Sequence, residues 1–291
     1  MKTQLEQQFE SLRQQGATSP AAELTSESVL SFVVPVEVVD LPSQGKFYPD
    51  GHPLKDKSSV EIKQMTAKEE DILTNKSFIK KGVLIDKLIE SLLVDKSIEV
   101  SSLLVGDKNA IMVAARAAAY GDSYDVFITC PQCNARQNHL VSLGSLQVFN
   151  FDKALAEIKT DETIKLENTN LGTVILKLPK TGWFVELRPL NGSDERRMFN
   201  MIEARKSKSG NDELSISEQL SFIIKSINAI DDKNVVIEAL SLMPASDAKF
   251  LRNIYQKLIP NVKIMTSFSC DACNSQQELE VPFTQEFFWP K

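Results

Sequence analysis

Two short stretches of this chain carry the same pattern. Cys130-Pro131-Gln132-Cys133-Asn134-Ala135-Arg136-Gln137 and Cys270-Asp271-Ala272-Cys273-Asn274-Ser275-Gln276-Gln277 both read C-x-x-C-N-x-x-Q. They hold all 4 cysteines of the chain and lie far apart in it. A C-x-x-C step brings two thiolates within reach of one metal ion, and two such steps supply the four sulfurs that tetrahedral zinc prefers. A chain that uses them together must bring two segments far apart in sequence into contact.

Each step sits between segments that read as strands. Before the first, Tyr124, Val126 and Ile128 alternate with Asp125, Phe127 and Thr129. Before the second, Val262, Ile264, Thr266 and Phe268 share one side, and Leu279 and Val281 follow in the return strand. The prediction is a zinc ribbon split by a large insertion, with each hairpin offering a cysteine pair from its turn. A thioredoxin-like redox pair would place one C-x-x-C at a helix N-terminus in a βαβ setting, and here there are two in hairpin patterns. Two structural disulfides are the other alternative. The chain opens Met1-Lys2-Thr3-Gln4 with Glu6 following and no apolar core of a leader. It is therefore read as cytosolic at synthesis, where thiols stay reduced. Four cysteines leave no open position for water or substrate, so the zinc is expected to be structural.

The formal net charge is −6, which argues against broad phosphate-driven binding to nucleic acid. Hydrophobic residues make up 42% of the 291, ample for a core. No apolar run reaches the roughly 18 residues of a membrane span.

In chain order, residues 1–28 read as a tail, flexible or ordered on a partner through Leu5, Phe9 and Leu12. A strand is expected over Leu30–Leu41, and another over Ser59–Met65. Between them, residues 41–54 hold Pro42, Pro49, Pro53, Gly45 and Gly51, a rigid loop of tight turns. Phe47 and Tyr48 are too apolar to idle there and are expected on the core or on a partner. His52 reads as a surface residue. Thr66-Ala67-Lys68-Glu69 is a capping box opening a helix. This explains Glu69, Glu70 and Asp71 as first-turn acids without a catalytic role. Helices follow over Val83–Val94 and Asp107–Tyr120, with Gly121 closing the second. Arg116, in an apolar surround, is expected to meet a carboxylate.

Beyond the first hairpin, residues 144–170 link onward, with a partial helix through Phe149, Phe151, Leu155 and Ile158. Gly172–Leu178 and Trp183–Leu187 read as paired strands. Helices are expected from Ser193 as N-cap to about Ser207, from the Ser215–Glu218 capping box through Ile224 and Ile227, and from Pro244 to Leu258 with Ser246 as N-cap. A polar loop lies at 207–212. Val235–Leu240 is a short helix or strand. Four aromatics crowd the last residues: Phe283, Phe287, Phe288 and Trp289. They either tuck into the core or dock on a partner.

There is no P-loop, G-x-G-x-x-G, G-x-S-x-G or H-E-x-x-H motif. His52 and His139 are the only histidines, and His139 lies beyond the usual knuckle spacing. No active site is legible, and the chain is read as a non-enzyme.

The residues carry a resemblance. Leu41-Pro42-Ser43-Gln44-Gly45-Lys46-Phe47-Tyr48-Pro49, Met65-Thr66-Ala67-Lys68-Glu69-Glu70-Asp71-Ile72-Leu73, Tyr120-Gly121-Asp122-Ser123-Tyr124, the two cysteine pairs and Phe287-Phe288-Trp289-Pro290 together resemble the baseplate proteins of T4-like contractile-tailed bacteriophages, in particular a baseplate hub subunit. The resemblance implies a structural or assembly protein of the tail, made in the host cytoplasm and placed in the virion baseplate. It acts by contacts with other baseplate or hub proteins, with no membrane span, nucleic acid or small-molecule substrate. A nucleic-acid-binding zinc ribbon is the alternative, but the knuckles carry only Arg136, beside Asp125 and Asp271.

The combined expectation is an α+β fold built on a split zinc ribbon, residues 122–143 and 262–283, surrounded by helices. Its parts are the tail 1–28, an α+β region 29–143 ending in the first knuckle, a strand-pair and mainly helical insertion 144–261, and the second knuckle with the aromatic C-terminus 262–291. Cys130, Cys133, Cys270 and Cys273 hold structural zinc. Phe47, Tyr48, Phe287, Phe288 and Trp289 contact partners.

Overall fold

The computed structural model describes residues 34–145, 147–149, 151–159, 166–168, 172–209, 213–281 and 285–288. The tail with Leu5, Phe9 and Leu12, the strand expected before Val34, residues 210–212 of the polar loop, and Trp289 lie outside them. Val36–Lys291 forms one compact unit.

Strands β1 (Val36–Asp40) and β2 (Ser59–Lys63) pair antiparallel, Val36 facing Lys63 and Asp40 facing Ser59. The proline-rich loop between them turns inward. Ser43 donates its amide (3.0 Å) and hydroxyl (2.6 Å) to Asp107, and the Tyr48 hydroxyl donates to the same carboxylate at 2.8 Å. Asp107 is wholly buried, so these bonds are what make a carboxylate tolerable there. His52 stacks on Tyr48 with ring centres 4.2 Å apart and meets the Ser102 hydroxyl at 2.8 Å. It is half-buried rather than a surface residue.

Helix α1 (Ala67–Leu73) starts at the expected capping box. Glu69 accepts the Thr66 amide (2.9 Å) and hydroxyl (2.6 Å), and the Ser91 hydroxyl (2.6 Å). Burial works to raise its pKa, but the Ser91 and Thr66 hydrogen bonds outweigh it and hold the carboxylate below its usual range. Helix α2 (Lys76–Lys80) was not foreseen, because five residues show no periodicity; Asn75 caps it by accepting the Ser77 and Phe78 amides. Helices α3 (Leu84–Leu92) and α4 (Val105–Tyr120) follow, with Gly121 as the expected stop at φ +83°.

Gly106 lets α4 lie flat on the chain entering the second cysteine hairpin: a methyl group there would overlap the carbonyl oxygen of Pro260. Gly106→Ala is therefore expected to cost about 3 kcal/mol, since backbone cannot yield as a side chain does. Urea unfolding would check this; a change below about 1 kcal/mol would show that the contact is slack.

Strands β3 (Ser123–Thr129) and β4 (Arg136–Ser142) form the first cysteine hairpin. After β5 (Gln147–Val148) come α5 (Phe151–Lys159), β6 (Leu166–Asn168), β7 (Val174–Lys177) and β8 (Phe184–Leu187). Helix α6 (Gly192–Ser209), α7 (Ile216–Ile223), β9 (Ile224–Ile227), α8 (Lys233–Leu242) and α9 (Ala245–Leu258) lead to β10 (Val262–Ser269) and β11 (Gln276–Val281), the second cysteine hairpin. Four small antiparallel sheets result: β1-β2, β3-β4, β11-β10-β5 and β6-β7-β8-β9. The fold is mixed α+β, as expected.

Three further local expectations fail. The expected strand pair of the insertion is the centre of a four-stranded sheet, because the helix predicted through Ile227 stops at Ile223. Ile224–Ile227 then pairs with β8, burying Ile224, Ser226 and Ile227, while Lys225 (2.9 Å) and Ser226 (3.0 Å) bond Glu186. A run with isoleucines at 223, 224 and 227 fits both periods, and the open edge of β8 decides. The cap of α6 is Asn191, not Ser193: Asn191 accepts the Asp194 amide and Asp194 accepts the Asn191 amide, both at 3.1 Å. Helix α9 follows Pro244 directly, so Ser246 lies inside it; the buried Asp247 instead accepts the Lys180 and Thr181 amides at 3.0 and 2.9 Å.

Candidate metal centre

Each cysteine pair sits in a turn that the backbone closes. In the first, the Cys130 amide donates to the Ala135 carbonyl (2.8 Å) and the Asn134 amide to the Cys130 carbonyl (2.9 Å). In the second, Cys270 donates to Ser275 (2.9 Å) and Asn274 to Cys270 (2.8 Å). Asn134 and Asn274 take φ of +60° and +55°, the left-handed region that asparagine tolerates better than other side-chain-bearing residues. This is the role of the N in both motifs. The sequence displayed it twice, yet its meaning appears only with the turn.

The hairpins meet through these turns. Cys130 and Cys273 place their sulfurs 3.8 Å apart, Cys133 and Cys270 3.6 Å apart, and all four sulfurs lie within 4.8 Å of one another. A tetrahedral ion with Zn–S bonds of about 2.3 Å requires S···S edges of about 3.8 Å. The donor set and its spacing therefore fit one ion, and all four positions are filled by sulfur. The first cysteine of each pair is buried and the second exposed.

Electrostatics favour a cation here. The Cys133 amide, aided by that of Gln132 and the thiols of Cys270 and Cys133, brings the Cys130 thiol down to about 7 against the effect of burial. At Cys273 the Ser275 amide favours the thiolate, yet the surrounding sulfurs of Cys133, Cys270 and Cys130, with burial, push the thiol up to about 12. Cys133 is raised too: the Ala135 amide and Cys273 thiol favour its thiolate, but burial and the thiols of Cys270 and Cys130 prevail. Four sulfurs this close cannot all ionise alone, and a central cation removes the repulsion.

No strand pairing joins the two hairpins; they lie in separate sheets. Side chains join them. The Gln137 Nε2 donates to the Ser269 carbonyl (2.9 Å), its Oε1 accepts the Asp271 amide (2.9 Å), and His139 meets the Thr266 hydroxyl (2.8 Å) while packing edge-on against Phe268. His139 thus supports the hairpins and is no ligand.

The other candidate residues do not converge on a site. Glu69 is a buried cap, and Glu70 accepts the Tyr120 hydroxyl at 3.0 Å. Phe47, Tyr48, Phe287 and Phe288, read as core residues or partner contacts, are each at most 5% exposed and belong to the chain's own core. Arg116 explains the terminus. Among the described residues it meets no carboxylate, contrary to expectation, and donates instead to the carbonyls of Phe287 (2.7 Å), Gly121 (3.1 Å) and Ser123 (3.1 Å). Its guanidinium also lies over the rings of Tyr120, Tyr124 and Phe287. A planar five-donor fork suits such a set, and no sequence pattern reports carbonyls brought together by folding. Deleting Phe287–Lys291 is therefore expected to destabilise the monomer by several kcal/mol, the cost of losing buried aromatics. A truncated chain with unchanged melting temperature would contradict this.

Among the described residues, no helix is long and apolar enough to cross a membrane. No curated protein and no solved structure matches the chain. A family model does, over residues 34–289, which include both cysteine pairs and nearly all of the compact unit. The chain belongs to the T4 bacteriophage base plate protein family.

Proposed function

We propose that this chain is a structural or assembly component of the hub of a contractile phage tail baseplate. It acts by protein–protein contacts, around a core stapled by one structural zinc ion on Cys130, Cys133, Cys270 and Cys273. The cysteine hairpins act as the two halves of a split zinc ribbon. The observation that carries the reading is the closure of four sulfurs from two distant segments inside a baseplate-family chain. Zinc suits all-sulfur tetrahedral sites, and a filled shell gives stability without reactivity. Partners are other baseplate or hub proteins, and the site of action is the virion tail, after assembly in the host cytoplasm. With Phe47, Tyr48, Phe287 and Phe288 in the core, Trp289 keeps the partner role, together with surface side chains.

One observation favours the nucleic-acid alternative: Arg136 stacks over the exposed Phe127, 4.8 Å from its ring centre. The same strand exposes Asp125, and the other hairpin exposes Glu278 and Glu280, which repel phosphate.

Native mass spectrometry of the purified protein tests the zinc. One zinc per chain is expected, with four cysteines that resist alkylation until a chelator is added. No metal together with two disulfides would overturn it. Proteomics of baseplates and hub intermediates isolated from infected cells tests the role. The chain is expected in hub intermediates, and its absence from both fractions would refute the assignment.

A further inference from the structure

The turn bonds of the two knuckles repeat one another: the first Cys donates to the residue after Asn, and Asn donates to that Cys, in both. Gln137 faces Ile128 across its hairpin and Gln277 faces Phe268 across the other, so the two glutamines hold equivalent places. Gln137 uses both ends of its amide: Nε2 on the Ser269 carbonyl and Oε1 on the Asp271 amide. Those two residues flank Cys270, whose backbone is thus gripped from both sides by one side chain of the opposite hairpin. By the pseudo-twofold relation, Gln277 should grip Thr129 and residue 131, which flank Cys130. Residue 131 is proline, which has no amide hydrogen to give. Proline thus takes away the donor for Oε1, not the acceptor for Nε2; without that anchor the amide does not seat on the Thr129 carbonyl, and Gln277 Nε2 is left buried with no hydrogen-bond partner, the only such side-chain nitrogen or oxygen among the described residues.

We infer that Gln137 and Gln277 are positioning residues of the cysteine cluster, a matched pair of clamps of which the first is closed and the second is held open by Pro131. The cluster is gripped on the Cys270 side alone, and the knuckle of Cys130 and Cys133 is the half from which it opens. This rests on the metal reading above in one respect only, that the opening is read as loss of the ion.

A double-mutant cycle tests it: wild type, Pro131→Ala, Gln277→Ala and both, with Gln137→Ala beside them. The first readout is the rate at which a colorimetric chelator strips zinc. One ordinary hydrogen bond corresponds to about a fivefold change. Pro131→Ala is expected to slow release about fivefold by letting Gln277 close, and Gln137→Ala to speed it about tenfold or more. Gln277→Ala alone should change little, yet cancel the gain from Pro131→Ala. The cycle also removes the extra unfolded-chain freedom that replacing proline brings. An effect of Pro131→Ala that persists unchanged without Gln277 overturns the clamp. The second readout is the alkylation rate of the cysteines in metal-free protein. Coupling seen there in a chain that binds no zinc would keep the clamp and reject the metal. Zinc bound with no coupling in either readout would do the reverse.

Discussion

Cys270→Ser is expected to leave a chain that binds no zinc and shows no cooperative thermal transition. Cys270 is 1% exposed, and its sulfur lies 3.6 Å from that of Cys133 on the other hairpin. Structural zinc contributes about 10–16 kcal/mol in small sites. Whole domains are stable by only about 5–15 kcal/mol. Even a fraction of the former decides the latter. A bound ion would also secure a contact between segments far apart in sequence, where no strand pairing among the described residues joins the hairpins. Chelation of the wild type should reproduce the effect. Cys133→Ser should be milder, because Cys133 is exposed and its hydroxyl stays hydrated. Melting curves read alongside metal content make the measurement. A soluble Cys270→Ser protein with an unchanged transition would remove the structural role of the cluster.

The second large effect is at Arg116. Arg116→Met keeps the unbranched apolar stem of the side chain but removes every donor and the guanidinium over the rings of Tyr120, Tyr124 and Phe287. Three carbonyls, of Phe287, Gly121 and Ser123, then lose a charged partner, and the C-terminal turn loses its tie to α4. The expected loss is about 4 kcal/mol, from charge-assisted bonds and unsatisfied buried acceptors. Urea denaturation measures it, and limited proteolysis should show the C-terminus cut first. Arg116→Lys should recover only part, because an ammonium cannot fork to several carbonyls at fixed angles. A loss below about 1 kcal/mol would mean that water replaces the guanidinium without penalty.

The same two places show what could be read before folding and what could not. The cysteine pairs, their hairpins, the capping boxes at Thr66 and Ser215, and the stop at Gly121 rest on short-range rules, and the structure places each as read. The partner of Arg116, the burial of Phe287 and Phe288, and the strand at Ile224 depend on groups distant in the chain. The aromatics at 287 and 288 left core and partner equally open, because apolarity says that a side chain leaves water, not what covers it. Gln137 and Gln277 looked like a repeated letter until the turns faced each other.

By itself, the amino-acid sequence determined the set of four thiols and the two hairpins that present it. Those follow from residue identity and from spacings of a few residues, which bond geometry makes nearly context-free. Only the tertiary structure decided which surfaces are covered and which clamp closes. Burial and hydrogen bonding across the fold depend on where remote backbone carbonyls and amides come to lie, and Gln137 reaches the residues on both sides of Cys270 only once the two turns face each other.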